Sequence, residues 1–95
     1  MLEKDIEVAV VLHAKRKKFL CFKMANTGMV GVPDRLFISP LGKKIWIEFK
    51  PPTGKLSKRQ QRMIELLRAR REIIYIVNNI SKGINIIDSW TELPE

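Results

Sequence analysis

Residues 34–50, DRLFISPLGKKIWIEFK, decide how the chain folds. Two runs rich in β-branched and aromatic residues, 34–39 and 44–50, flank SPLGK, where Pro and Gly mark a tight turn. A hairpin centred near Leu41 sets 38 opposite 44, 36 opposite 46 and 34 opposite 48. Leu36 and Trp46 then share one face, while Phe37, Ile45 and Ile47 share the other. The same register puts Asp34, Glu48 and Lys50 side by side, and a slip of one residue would part them. Charged residues in strands of this buried type need a partner or a task.

Working outward, Pro51 and Pro52 stop the second strand. Ser57 and Gln60 form an S-x-x-Q capping box that opens a helix running to about Arg71. Gln60, Met63, Ile64 and Leu67 make its core stripe, and Lys58, Arg59, Arg62, Arg68 and Arg70 occupy its other sides. EIIYIV, residues 72–77, reads as a strand, and the strand–helix–strand unit 44–77 calls for a right-handed crossover within one sheet. GINIID, residues 83–88, reads as a last strand after a turn at Asn78, Asn79 and Gly83. Upstream, Leu2, Ile6, Ala9, Val10 and His13 recur at helical steps over 2–17, and Val8, Val11 and Leu12 widen the apolar surface. FLCFKM, 19–24, is a strand, ANTGMVGVP a loop, and SWTELPE a short tail. The expected fold is α/β, a mixed sheet flanked by helices in the order α-β-β-β-α-β-β, as one domain over 1–95.

Composition narrows the partners. The 18 Lys and Arg against 10 Asp and Glu leave a net charge of +8, which favours a polyanion: nucleic acid first, an anionic membrane surface second. Cys21 is the one cysteine, which excludes an intrachain disulfide and a cysteine-based zinc site. Acids precede the short apolar run at the N-terminus, unlike a signal peptide, and no apolar stretch reaches the roughly 18 residues of a membrane span. A soluble, cytoplasmic protein in a reducing compartment is expected.

Two carboxylates as close as Asp34 and Glu48 repel unless one is protonated or a cation lies between them. A hard ion such as Mg²⁺ suits oxygen ligands and keeps several waters. Glu7 on the first helix is a candidate third carboxylate, and Glu3, one turn away, competes for that place. Lys50 beside such an ion would orient a water or contact a phosphate. The plainer alternative is a set of surface ion pairs with Arg35, Lys44 or Lys50.

Together these residues resemble a known pattern. Pro33-Asp34 followed by Glu48-x-Lys50 resembles the PD-(D/E)xK nuclease superfamily. The fuller string, a helical Glu7, Gly31 to Arg35, Glu48 to Lys50 and Gly54 to Gln60, resembles its VRR-NUC branch, the virus-type replication–repair nuclease domain, in a standalone minimal form. The resemblance implies a DNA endonuclease using Mg²⁺, or Mn²⁺ in its place, that leaves a 5′-phosphate and a 3′-hydroxyl. It implies Asp34, Glu48, the Phe49 carbonyl and Glu7 as metal ligands, with Lys50 serving the attacking water and Gln60 near the site. It also implies a homodimer acting on DNA repair intermediates such as Holliday (four-way) junctions. A non-catalytic DNA-binding module of the same fold, and a nuclease of linear, flapped or nicked DNA, are the alternatives. KRKK stands where a glycine-containing turn is expected after the first helix.

Lys15, Arg16, Lys17, Lys18, Lys43, Lys44, Lys55, Lys58, Arg59 and Arg62 are candidates for DNA backbone contact, against a solvated face. Arg35 is a candidate for phosphate contact or for an ion pair with Asp34 or Glu48. His13 reads as a packed, hydrogen-bonded histidine, Met24, Met29 and Met63 as packing or dimer contacts, and Trp46, Trp90 and Tyr75 as structural. The 83–88 segment and the first helix are candidate dimer surfaces.

Overall fold

Leu36 lies opposite Trp46, Phe37 opposite Ile45 and Ile38 opposite Lys44, the register read from the hairpin's own sequence. The computed structural model describes residues 1–24 and 28–91, so part of the loop before Asp34 and the end of the tail lie outside the described residues. The elements are α1 (Glu3–Arg16), β1 (Leu20–Lys23), β2 (Arg35–Ile38), β3 (Lys44–Phe49), α2 (Lys58–Ala69), β4 (Ile74–Val77) and α3 (Ile80–Ser89). The strands form one sheet in the order β1-β2-β3-β4. Its first two pairings are antiparallel, and β3–β4 is parallel, as the crossover through α2 requires. The turn between β2 and β3 is closed by Ser39 N–H to Lys43 O at 2.8 Å and Gly42 N–H to Ser39 O at 2.9 Å.

The sheet's two faces differ. Phe37, Ile45, Ile47, Phe49 and Val77 are fully buried against Ile6 and Val10 of α1 and Ile87 of α3. The other face carries Trp46 and Glu48 and receives α2. Burying Phe37, Phe49 and four fully enclosed isoleucines stabilises this core by about 1.5–3 kcal/mol per side chain. α1 is less enclosed than its apolar count suggests: Leu2, Val8 and Leu12 are exposed, and the buried stripe is Ile6, Val10, Val11 and Ala14. After α1, Lys18 takes φ 68°, the left-handed conformation a glycine would supply. Phe19 N–H closes onto Ala14 O at 3.0 Å, and β1 pairs with β2 without a glycine turn.

The last element is a correction. Residues 83–88 are not a strand; they lie within helix α3. The alternation of Ile84 and Ile86 hides a helical period in Ile80, Gly83, Ile84 and Ile87. Asn79 caps this helix by accepting the Lys82 N–H at 2.8 Å. Gly83 is buried against α1, where an added Cβ would lie 2.3 Å from a Val10 methyl, so glycine allows the two helices to close up. The observed order is therefore α-β-β-β-α-β-α. His13 of α1 is tied to Asp88 of α3 at 2.7 Å, the packed and bonded histidine expected. Trp90 Nε1 donates to the Tyr75 hydroxyl at 3.1 Å, and Trp46 Nε1 to Glu72 at 2.8 Å. No described helix is long and apolar enough to cross a membrane.

Candidate active site

Arg35 pairs with Ile47, so Asp34, one residue earlier, stands opposite Glu48 on the α2 side of the sheet. Asp34 Oδ2 accepts the Phe49 N–H at 2.8 Å, which pins the carboxylate across the hairpin. The Asp34 carbonyl accepts the Met24 N–H at 2.9 Å, so the residue is fixed from both neighbouring strands. Glu48 is only 2% exposed. Its Oε2 accepts from Gln60 Nε2 at 2.9 Å and lies 3.5 Å from Lys50 Nζ. The Lys50 backbone is held in turn by its N–H to Val77 O at 2.9 Å.

Gln60 links helix to site. Its Nε2 serves Glu48, while its Oε1 accepts the Ser57 N–H at 2.9 Å and its own N–H reaches Ser57 Oγ at 3.1 Å. The capping box that starts α2 thus also steadies the buried carboxylate. Gly31 completes the arrangement. It has φ 85°, and a Cβ there would lie 2.6 Å from the Arg59 carbonyl oxygen. The loop leading into Asp34 consequently rests directly on the first turn of α2, a contact only glycine permits.

The electrostatics mark this cluster. Burial, and then the neighbouring Asp34, push the Glu48 carboxyl up to about 7 against the favourable pull of Lys50. Burial also raises Asp34, against the Phe49 amide, which favours its charged form. Glu3 is raised by burial and by Asp34, and Lys50 acts on it in the opposite direction. Glu3 is thus coupled to the cluster from the first turn of α1. Glu7 is near enough to raise Asp34, but its Oε2 is taken by Arg35 Nε at 2.7 Å. Arg35 is accordingly ion-paired with Glu7, and its charge also favours the ionised form of Asp34.

Asp34, Glu48, Lys50 and Gln60 are brought together with the Phe49 backbone between them. Lys55, Lys58, Arg59 and Arg62 stand exposed at the start of α2 or just before it; Lys15, Arg16, Lys17 and Lys18 stand exposed at the far end of α1, in the opposite layer. No group of three or more His, Cys, Asp or Glu among the described residues is arranged to hold a metal ion. The donor set nevertheless fits one hard divalent cation. A buried Glu48 raised by burial and by Asp34, beside an Asp34 raised by burial and by Glu7, would be relieved by a cation, and Mg²⁺ commonly takes one or two carboxylates and keeps its waters. What sequence alone missed is the Glu7–Arg35 pair: Glu3 and Glu7 compete on spacing, and only that pairing separates the two.

A solved structure described as a VRR_NUC domain superposes with a TM-score of 0.82 at 24% identity, covering 93% of this chain and 96% of that one. The chain has the fold of a VRR_NUC domain. The VRR_NUC fold accounts for the mixed four-stranded sheet and its flanking helices, the architecture expected from the sequence apart from the last element. A curated protein of Acyrthosiphon pisum secondary endosymbiont phage 1, named "Putative nuclease p44", is 37% identical over 60 residues. The matched stretch is 63% of this chain, which spans 64% of that protein's length. No family model matches the chain.

Proposed function

We propose that this chain is a metal-dependent DNA endonuclease that hydrolyses phosphodiester bonds. The observation that carries the reading is the convergence of Asp34, Glu48 and Lys50 on one face of a VRR_NUC-type sheet, with Glu48 held by Gln60. The name of the phage relative and the net charge of +8 agree with a nucleic-acid substrate.

Asp34 and Glu48 would hold the Mg²⁺ or Mn²⁺, with the Phe49 carbonyl and Glu3 or Glu7 nearby. When bound, the ion supplies Lewis-acid polarisation of the scissile phosphate and lowers the pKa of a water. The chain's own part is positioning. The Phe49 amide and Gln60 fix the two carboxylates, so little reorganisation is needed when substrate arrives. Lys50 directs one N–H toward Glu48 and has two further donors to orient a water and meet charge growing on phosphate oxygens.

The finer reading is a homodimer that resolves four-way junctions, since a two-fold assembly can cut two matching strands. With 83–88 helical, the candidate contact surfaces are the outer face of α1, where Val8 and Leu12 are exposed, and edge strand β1, where Leu20 and Phe22 are exposed. The test compares four-way, flapped, nicked and linear DNA in Mg²⁺, Mn²⁺ and EDTA, with a solution mass measured beside it. Expected are metal-dependent nicks at the junction, their loss in Asp34→Ala and Lys50→Ala, and a mass twice 11.1 kDa. Binding without cleavage in either metal would instead identify a non-catalytic module, and equal cutting of linear DNA would remove the junction preference.

A further inference from the structure

Two adjoining hollows, of about 300 Å³ and about 280 Å³, run along α2 beside the loop that carries Gly31, and Met63 lines both. Their floor includes Val30, Met63 and Leu66, and their rim Arg59, Arg62 and Arg70. Arg59, Arg62, Leu66 and Arg70 follow at three- and four-residue steps, so they share one face of the helix. The one acid of α2, Glu65, falls off this face, and neither Arg59 nor Arg62 has an ion-pair partner among the described residues. Between Arg59 and Arg70 the helix spans about 16 Å.

The groove is continuous with the candidate active site. Gly31, whose segment walls the groove, rests on the Arg59 carbonyl, and the next residue, Gln60, holds Glu48. We propose that this groove binds an unpaired DNA strand adjoining the cut position, such as one strand of a partly opened junction arm. The inference rests on the nuclease reading of the site. Charge complementarity selects a polyanion: a cationic rim without an acid suits backbone phosphates. The apolar floor selects an unpaired strand. Duplex DNA keeps its bases stacked inside and would present phosphates to the rim while leaving Val30, Met63 and Leu66 against water. A single strand can turn sugars and bases onto that floor and phosphates outward. The groove has no aromatic platform among its floor residues, so sequence preference is expected to be slight.

The experiment is fluorescence anisotropy in EDTA, with blunt duplex and with the same duplex bearing an unpaired arm of about 10 nucleotides. Expected is a preference for the forked DNA of about ten-fold or more. A Val30→Asp/Leu66→Asp double variant, both positions being exposed, should lose the preference and keep its affinity for blunt duplex. Arg62→Ala should lower the salt slope on forked DNA by about 0.7. Photo-crosslinking from a thiolated base in the arm of wild-type complexes should label the α2 peptide, a readout that needs no variant. No preference in the wild type, an equal loss on both DNAs, or a crosslink confined to other segments would each overturn the proposal. Because binding is read without metal, forked preference without any metal-dependent cleavage would sink the nuclease reading alone. Cleavage without that preference would sink the groove alone.

Discussion

Gln60 donates to Glu48 at 2.9 Å while the same side chain accepts the Ser57 N–H at 2.9 Å, so one amide joins the start of α2 to a buried carboxylate. Gln60→Ala should therefore cost on both counts. Loss of half the capping box and of a hydrogen bond to Glu48 is expected to lower stability by about 1–2 kcal/mol, measured by urea unfolding. Cleavage should fall by about 10–100-fold with the DNA affinity nearly unchanged, because the carboxylate is left unsteadied.

Glu48 sets a pH dependence of stability. Its folded-state carboxyl is pushed up to about 7 from 4.5. Between those values the native chain holds more protons than the unfolded chain, so in EDTA stability falls as pH rises from about 4.5 to about 7 and then levels. Asp34, also raised, adds a fall of the same sign. Glu48→Gln should flatten the profile and exceed wild type at pH 8 by about 1–3 kcal/mol, read from thermal melts. A divalent ion should recover stability for wild type at that pH and give little to the variant.

The two acids of α1 should separate. Glu7→Gln strips a half-buried Arg35 of its partner and is expected to cost about 1–3 kcal/mol with modest loss of cleavage. Glu3→Gln should leave the melting temperature nearly unchanged and raise the Mg²⁺ concentration needed for half-maximal cleavage. Metal titrations of both variants decide which acid serves the site.

Gly31→Ala is expected to be among the most damaging loop substitutions. Its φ of 85° disfavours any side chain, and the new methyl would meet the Arg59 backbone at 2.6 Å. A loss of about 1–3 kcal/mol by chemical unfolding is expected. Activity should fall further than stability explains, because the loop into Asp34 must lift from α2.

The placement of the candidate site residues was legible because most of it obeys short-range rules. A two-residue strand period and a hairpin register place Asp34, Glu48 and Lys50 without distant contacts, and the capping box places Gln60 at the start of α2, whose packing on the sheet brings it to Glu48. What was not legible depends on packing between segments far apart in sequence. GINIID carries two overlapping periods, and the Asn79 cap together with the closeness of Gly83 to Val10 favours the helical one. The same holds for Glu3 and Glu7, whose roles part only because Arg35, 28 residues from Glu7, claims one of them. Lys18 shows the reverse case, a lysine taking a conformation that local preference assigns to glycine.

The five residues from Ser39 to Lys43 work as a ruler. Their composition touches nothing catalytic, but their number fixes which side of the sheet Asp34 looks toward. One inserted residue would swing that aspartate among the phenylalanines and isoleucines of the opposite layer. Identity matters at Gly42, whose φ is 86°, and at the buried Ser39, whose hydroxyl accepts the Lys43 N–H, and a change in count would move the register. The turn's length is thus as much a part of the chemistry as the side chains it aligns.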